Sequence, residues 1–452
     1  MKKLFLFAIA PFYLAITSCS SPDTSVRLRG HNLQGYDGKV IIYDDCLKRD
    51  CSFRFGTTSV SIQKDGGFDT IISVTKPMYC TVDACNAFLI PGENLDITYS
   101  STSNEYSFTG ATAMECDFLN KNPLNIYGDL SFLYGGKYAL GTFAETKRAV
   151  DSLAAIRMHL LETSKGLDPF FVEIEKARTQ AHVVNSYLNY FMFTQGYVAC
   201  DMGNEGSTPQ GKEYIESIRE YVEPLVKSFL DDRFSLNADI RWAVERCKNG
   251  GLLTIPEGSV WEQLYAAREL MRKFEDENGG LGEVVAQAKL LLPKISDADL
   301  AGMLKNEIEQ KDMLASGKVA CEFNLEDIDG NRVNMSAFKG KPIYIDLWAT
   351  WCGICIVEAP SFVKLKEQYP DIIFLSISID AKKDIWKKFL AAKPKADVPQ
   401  FIAVNKDSLM KSWNVFGVPR CILIDKDYRI VDAYAPRPNT EEIKTLLDGL
   451  LK

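Results

Sequence analysis

The stretch DLWATWCGIC, residues 346–355, ends an apolar run with two tryptophans and two cysteines three positions apart. Residues 343–347 have the composition of a buried β-strand, and a helix is predicted from the cysteines to about residue 368. A thiolate is stabilised at a helix N-terminus, and such motifs lower the pKa of the first thiol from about 8.5 towards 7 or below. We therefore predict that Cys352 is a nucleophile and that Cys355 resolves the mixed disulfide it forms.

Strands and helices alternate on both sides of this stretch. Residues 372–377 and 421–424 are apolar runs typical of buried strands, and a helix is predicted around residues 385–392. Alternation of this kind indicates an α/β sheet. The region 318–452 is therefore predicted to be one α/β domain.

This region resembles the thioredoxin family at several separated elements. Residues 346–355 are similar to the active-site segment, and Glu358 and Pro360 stand where TlpA/ResA-type periplasmic thioredoxins carry them. Residues 417–419 match the cis-proline loop of the family, and residues 338–342 resemble the approach of its redoxin (AhpC-TSA) branch. The resemblance implies a thioredoxin-like fold and a thiol–disulfide oxidoreductase.

The resemblance also implies how a substrate would bind. Pro419 in the cis form would lie against the dithiol and leave the backbone of Val418 free to pair with an extended substrate, with Trp351 beside it. The disulfide between Cys352 and Cys355 would be the redox-active group, and no other cofactor is expected. TlpA/ResA-like proteins are mostly reductants, but Ile354 replaces the proline of the common motif, which leaves the direction of electron flow open.

Two carboxylates stand near the dithiol in sequence. Asp346 lies in an apolar strand, where a raised pKa would suit it to accept the proton of Cys355. The alternative is a partly exposed aspartate at a strand end. Glu358 follows Cys355 by three residues, so it either influences that thiol or is a solvated helix residue.

Two cysteines at this spacing are also half of a zinc site. Zinc needs three or four protein ligands, and His31, His159 and His182 all lie outside residues 318–452. We therefore predict no metal, although other cysteines leave that alternative open.

The N-terminus has the pattern of an export signal. Basic residues precede an apolar run that is too short to span a membrane, and residues 16–19 resemble the lipobox of bacterial lipoproteins. Residues 1–19 are thus expected to be a signal that ends in an acylated Cys19, with a plain secretory signal as the alternative. The chain is expected in the cell envelope, lipid-anchored and facing the periplasm.

The formal net charge of −8 argues against one class of partner. An acidic chain without basic clusters repels phosphate backbones, so nucleic acid is excluded.

Residues 26–110 read as short alternating strands separated by turns, which predicts a small antiparallel β-sandwich. This part resembles the β-domain that precedes thioredoxin domains in lipoproteins of Bacteroides-like bacteria. Its four cysteines are expected to form structural disulfides, with a four-thiolate zinc site as the alternative. They are Cys46, Cys51, Cys80 and Cys85.

Residues 111–315 are predicted to be a central helical domain. Apolar residues recur at spacings of three and four over residues 215–229 and 260–274, and we interpret these stripes as core rather than ligand groove. The complete fold class is a multidomain α/β chain with a β-sandwich, a helical domain and a C-terminal thioredoxin-like domain.

The expected function is reduction of disulfides in exported proteins, with electrons from a membrane thiol reductant of the DsbD kind, as the resemblance implies. A thiol oxidase or isomerase would use the same residues. A lipid-anchored binding or assembly module with secondary redox activity is the alternative from another class, because residues 26–315 carry no chemical motif.

Overall fold

The structure, a computed structural model, describes residues 24–33, 35, 38–45, 51, 57–121, 131–133, 138–195, 205–275, 281–392 and 398–452. Residues 1–19, with Cys19, and Cys46 lie outside this part of the chain. By its internal contacts the chain divides into two compact units, residues 1–255 and 256–452. Among the described helices, none is both long and apolar enough to cross a bilayer.

The described part of the first unit begins with a β-sandwich. Its strands are β1 (Ser25–His31), β2 (Lys39–Asp44), β3 (Thr57–Ser61), β4 (Phe68–Ser73), β5 (Met78–Val82), β6 (Cys85–Leu89), β7 (Leu95–Ser100) and β8 (Glu105–Gly110). They form two four-stranded sheets with the orders β4-β1-β7-β8 and β3-β2-β5-β6. All neighbours are antiparallel except β1 and β7, and alternate residues of both sheets meet in one hydrophobic core. The predicted sandwich is confirmed, but the parallel β1–β7 pair makes it mixed rather than entirely antiparallel.

The cysteines of the β5–β6 hairpin correct one prediction. Cys80 and Cys85 are buried free thiols, and burial raises the pKa of both. They do not face each other, because Cys80 lies opposite Ala87 and Cys85 lies opposite Val82 in the register of the hairpin. The predicted structural disulfides are therefore wrong for Cys80 and Cys85, which pack as small hydrophobic residues. A disulfide at Cys46 stays a prediction, because Cys46 lies outside the described residues.

Helices follow the sandwich in the first unit. They are α1 (Ala113–Lys121), α2 (Phe143–Thr163), α3 (Pro169–Gln195), α4 (Pro209–Ser228) and α5 (Ala238–Asn249). Helix α2 begins at a capping box, in which Thr142 and Glu145 bond each other's backbone N–H. The apolar stripe of α4 is core, as predicted, since Ile215, Ile218 and Val222 are at most 3% exposed.

A buried ionic network joins these helices to the sandwich. Arg157 of α2 donates to Glu175 of α3 at 2.6 Å, and both side chains are fully buried. Tyr79 of β5 donates to the second oxygen of Glu175 at 2.8 Å. Arg178 of α3 pairs with Asp239 of α5 at 2.5 Å. Charges that are removed from water need such partners. Through these contacts α3 is joined to β5, α2 and α5.

The second unit contains a mixed seven-stranded sheet in the order β10-β9-β13-β12-β11-β14-β15. Its strands are β9 (Asn324–Asp327), β10 (Arg332–Asn334), β11 (Ile343–Trp348), β12 (Ile373–Ser378), β13 (Gln400–Ala403), β14 (Arg420–Ile424) and β15 (Ile430–Ala435). Its helices are α6 (Val260–Glu275), α7 (Leu281–Leu291), α8 (Ala298–Met313), α9 (Gly353–Gln368), α10 (Lys383–Ala391), α11 (Lys406–Ser412) and α12 (Glu441–Leu450). Strand β11 runs parallel to β12 and antiparallel to β14. Helices α9 and α12 pack on one face of the sheet and α11 on the other, which confirms the thioredoxin-like α/β prediction.

The boundary between compact units differs from the boundary expected from sequence. Helices α6–α8 belong to the second unit, whereas the sequence pattern grouped residues 111–315 together. Lys311 of α8 is 2% exposed, and its Nζ donates to the Phe274 carbonyl at 2.9 Å and to the Tyr434 hydroxyl. The pattern changes from helices to strands near residue 315, but these tertiary contacts join α6–α8 to the sheet that follows.

Candidate active site

Cys352 and Cys355 lie at the junction of β11 and α9, as the sequence predicts. A disulfide joins them, with their Cα atoms 5.3 Å apart. Cys352 is the N-cap of α9, and its Sγ accepts the backbone N–H of Cys355 at 3.2 Å. A sulfur in this position lies within the positive end of the helix dipole.

The proline loop lies directly against the disulfide. The Val418–Pro419 bond is cis, as the resemblance implied, and Pro419 immediately precedes β14. The Sγ of Cys352 is 3.5 Å from the carbonyl oxygen of Val418. Cys352 is 6% exposed, so approach to its sulfur is limited to a small opening beside this loop.

Exposed apolar side chains flank this opening. Trp351 is 67% exposed, Ile354 is 64% exposed and Phe416 is 60% exposed. Large apolar groups that remain in water are typical of surfaces that contact other molecules.

An aspartate that the sequence reasoning did not identify fixes the loop before Cys352. Asp380 accepts the backbone N–H of Thr350 at 3.0 Å, the Thr350 hydroxyl at 2.7 Å and the Ser378 hydroxyl at 2.7 Å. Asp380 follows β12, the parallel neighbour of β11. The carboxyl ends of adjacent parallel strands lie at the same edge of a sheet. Asp380 could therefore have been predicted near Cys352, because each residue follows one of two predicted neighbouring strands.

Asp346 lies beneath α9 and is half-buried. Asp346 and Cys355 line the same mainly apolar cavity of about 920 Å³. Burial, together with the nearby carboxylate of Glu358, raises the pKa of Asp346 to about 7. A carboxyl group with this pKa can both accept and return a proton near neutral pH.

Glu358 is an ion-paired residue rather than a solvated one. Its Oε2 accepts a hydrogen bond from Arg437 at 3.1 Å, and its side chain is 20% exposed. Arg437 lies between β15 and α12, far from α9 in the chain. Its approach to the site depends on the tertiary fold, and the single sequence contains no pattern that identifies it.

The remaining cysteines in the described residues do not form a second centre. Cys421 is 1% exposed and lies opposite Asp346 in the β11–β14 pair, and burial raises its pKa. Cys116 and Cys247 are fully buried, as is typical of cysteines that pack as small hydrophobic residues. Within the part of the chain that the structure describes, no three His, Cys, Asp or Glu side chains form a group suited to hold a metal ion.

Comparison with known proteins agrees with this geometry. Residues 315–450 match the family model described as Redoxin. The thiol-disulfide oxidoreductase ResA of Bacillus thuringiensis subsp. konkukian is 27% identical over 140 residues, which are 30% of this chain and 80% of ResA. This chain is a thioredoxin-like thiol–disulfide oxidoreductase. Its redoxin domain is the C-terminal part, where the dithiol and the cis-proline lie together.

Two further relatives match the same part of the chain. The thioredoxin-like protein YneN of Bacillus subtilis is 25% identical over 136 residues, covering 30% of this chain and 80% of YneN. A solved structure of a proposed thiol-disulfide oxidoreductase from Bacteroides vulgatus is 46% identical, covers 30% of this chain and 98% of that chain, and has a TM-score of 0.29. These similarities concern the redoxin domain rather than the longer region before it.

Proposed function

We propose that the redoxin domain reduces disulfides of exported proteins through a mixed disulfide at Cys352. The observation that carries this proposal is the contact of the Cys352–Cys355 disulfide with the carbonyl of Val418, inside a rim of exposed apolar side chains. An extended client chain would pair with the backbone of Val418 beside Pro419 and pack on Trp351.

The chemistry takes place in two steps. In the reduced protein, the thiolate of Cys352 attacks one sulfur of the client disulfide, and the other client sulfur leaves as a thiolate. Cys355 then gives its proton to Asp346, and its thiolate attacks the Sγ of Cys352. The Cys352–Cys355 disulfide forms, the second client sulfur is released and takes up a proton, and two electrons have passed from protein to client.

We further propose where this activity operates. Acylation of Cys19 would hold the protein in the cell envelope, facing the periplasm, where disulfides of exported proteins are present. A membrane thiol reductant of the DsbD kind would then return two electrons to the Cys352–Cys355 disulfide. The lipobox-like residues 16–19 and the ResA similarity support this location.

Insulin reduction with dithiothreitol tests the activity. Cys352→Ser is expected to abolish catalysed reduction, and Cys421→Ser, which changes a buried thiol on β14, is the matched control and should keep it. Full activity in Cys352→Ser overturns the proposal. A reduction potential of the couple near −270 mV supports a reductant, whereas a value near −120 mV identifies the oxidase alternative.

Client capture tests the substrate class. In Cys355→Ser the second step cannot occur, so clients are expected to stay joined to Cys352 as mixed disulfides. Mass spectrometry of the trapped species from an envelope fraction identifies them. Trapped proteins without export signals would contradict the proposed location.

A further inference from the structure

A polar group lies beneath the first turns of α9, on the sheet face that α9 and α12 cover. Asp346 and Tyr344 project from β11, Cys421 lies opposite Asp346 on β14, and Glu358 and Arg437 complete the group. Burial raises the pKa of Tyr344 and of Cys421, so both are neutral near pH 7. The charges that face Asp346 are therefore one carboxylate and one guanidinium.

Arg437 is held in place by its backbone as well as by its ion pair. The Tyr344 hydroxyl donates to the carbonyl of Pro436 at 2.6 Å, and the Arg437 carbonyl accepts the backbone N–H of Thr440 at 3.2 Å. The Thr440 hydroxyl donates to the same carbonyl at 3.0 Å. The Arg437 side chain is 29% exposed and contacts Glu358. The hydrogen bonds above fix the backbone of the segment from which it extends.

We propose that Arg437 is a positioning residue for the resolving step, in which its ion pair with Glu358 sets the charge beside Asp346 while Asp346 takes the proton of Cys355. This inference rests on the proposed function, since it concerns the second step of that reaction. Arg437 contacts neither sulfur, so its action passes through Glu358 and Asp346. It is not a catalytic residue.

The two charges act on Asp346 in opposite directions. The carboxylate of Glu358 raises the pKa of Asp346, and the guanidinium of Arg437 lowers it. Salt screens partly buried charges only weakly, so both effects persist in ordinary buffers. Removing Arg437 should therefore displace the ionisation of Asp346 to higher pH, and removing the charge of Glu358 should displace it to lower pH.

Two measurements on the full-length reduced protein test this inference. Carboxyl ¹³C NMR gives the ionisation midpoint of Asp346. Stopped-flow reaction with 2,2′-dipyridyl disulfide gives two thiopyridone releases, the first from attack by Cys352 and the second from resolution by Cys355. The pH profile of the second release reports the proton acceptor in the resolving step.

The expected displacements have opposite signs in the two single variants. Arg437→Met should raise both midpoints by about one pH unit and slow the second release about tenfold below the midpoint, and Glu358→Gln should lower both midpoints by a similar amount. The double variant should return close to the wild type, and Arg437→Lys should restore most of the wild-type profile. A merely structural role would slow the variants without displacing their profiles in opposite directions.

The outcomes that overturn the inference are distinct from failure of the proposed function. The role of Arg437 is rejected if the midpoints are unchanged, or if they move in the same direction in both single variants. It is also rejected if the NMR midpoint moves but the pH profile of the second release does not. Failure of the proposed function has another signature: the wild type would not reduce insulin at any pH, although both thiopyridone releases would still be observed.

Discussion

Asp346 is a carboxyl group that is costly to bury but suited to proton transfer. Its carboxyl group interrupts the apolar strand β11, and burial raises its pKa to about 7. The sequence predicted this residue because an acid within a buried strand is unfavourable unless it has a role. The environment that decides its pKa comes from α9 and from the segment after β15, which no local pattern reveals.

Asp346→Asn should stabilise the oxidised protein at neutral and alkaline pH. The pKa of Asp346 is higher in the folded state than in the unfolded state. Its contribution to the free energy of unfolding is therefore fully present below the unfolded-state pKa. This contribution is lost as the pH rises through the folded-state pKa. The variant should therefore match the wild type near pH 3.5 and exceed it by about 4 kcal/mol at pH 8. Urea unfolding across this pH range measures the difference. A gain that is the same at every pH would contradict this origin.

Asp380 is expected to stabilise the loop before Cys352. Asp380→Ala leaves the Thr350 N–H and two hydroxyl groups without their acceptor, and we expect a loss of about 2 to 3 kcal/mol in unfolding free energy. Thr350→Val removes only one of these hydrogen bonds, so it should lose about 1 kcal/mol. Equal losses in the two variants would show that Asp380 does not act as the common acceptor.

Elements with a strong local period are the ones that the sequence predicts well. Strand β11 is an uninterrupted apolar run apart from Asp346, and α4 has an apolar stripe at helical spacing, so both are recognised without tertiary information. The prediction of disulfides at Cys80 and Cys85 was wrong. The spacing of two cysteines along the chain does not show whether their side chains face each other across a hairpin.

The buried network between α2 and α3 should dominate the stability of the first unit. Arg157→Met leaves the carboxylate of Glu175 buried with one charged partner fewer, and the expected loss is about 3 to 5 kcal/mol in unfolding free energy. Arg27→Met is the matched control in the same unit, because its pair with Asp69 is exposed and its removal should change the unfolding free energy little. Denaturant unfolding of the full chain measures both. Similar losses in the two variants would contradict the dominance of the buried network.

The second compact unit, residues 256–452, is larger than the part of the chain that matches the Redoxin family model, residues 315–450. Helices α6–α8 share the second unit with the thioredoxin-like sheet, and Leu314 enters the core of that sheet. Lys311 and Tyr434 join α8 to β15, with the ammonium 4.2 Å from the centre of the ring.

A fragment of residues 256–452 should therefore be more stable than one of residues 318–452. The shorter fragment loses Lys311 and Leu314, and a difference of about 2 to 4 kcal/mol in unfolding free energy is expected. Urea unfolding of both oxidised fragments measures it, with insulin reduction as the check that each keeps an intact dithiol. Equal stabilities would show that α6–α8 pack on the sheet without supporting it.

Local periodicity and motifs a few residues long are enough to predict the thioredoxin-like region, the dithiol, the proline loop and the order of β-sandwich and helices. Three features are visible only in the folded chain: the free thiols of Cys80 and Cys85, the inclusion of α6–α8 in the second unit, and the ion pair of Arg437 with Glu358. Those features depend on which side chains meet across the fold. Contacts between residues far apart in the chain arise from packing of complete elements, and one sequence contains no local signal for them.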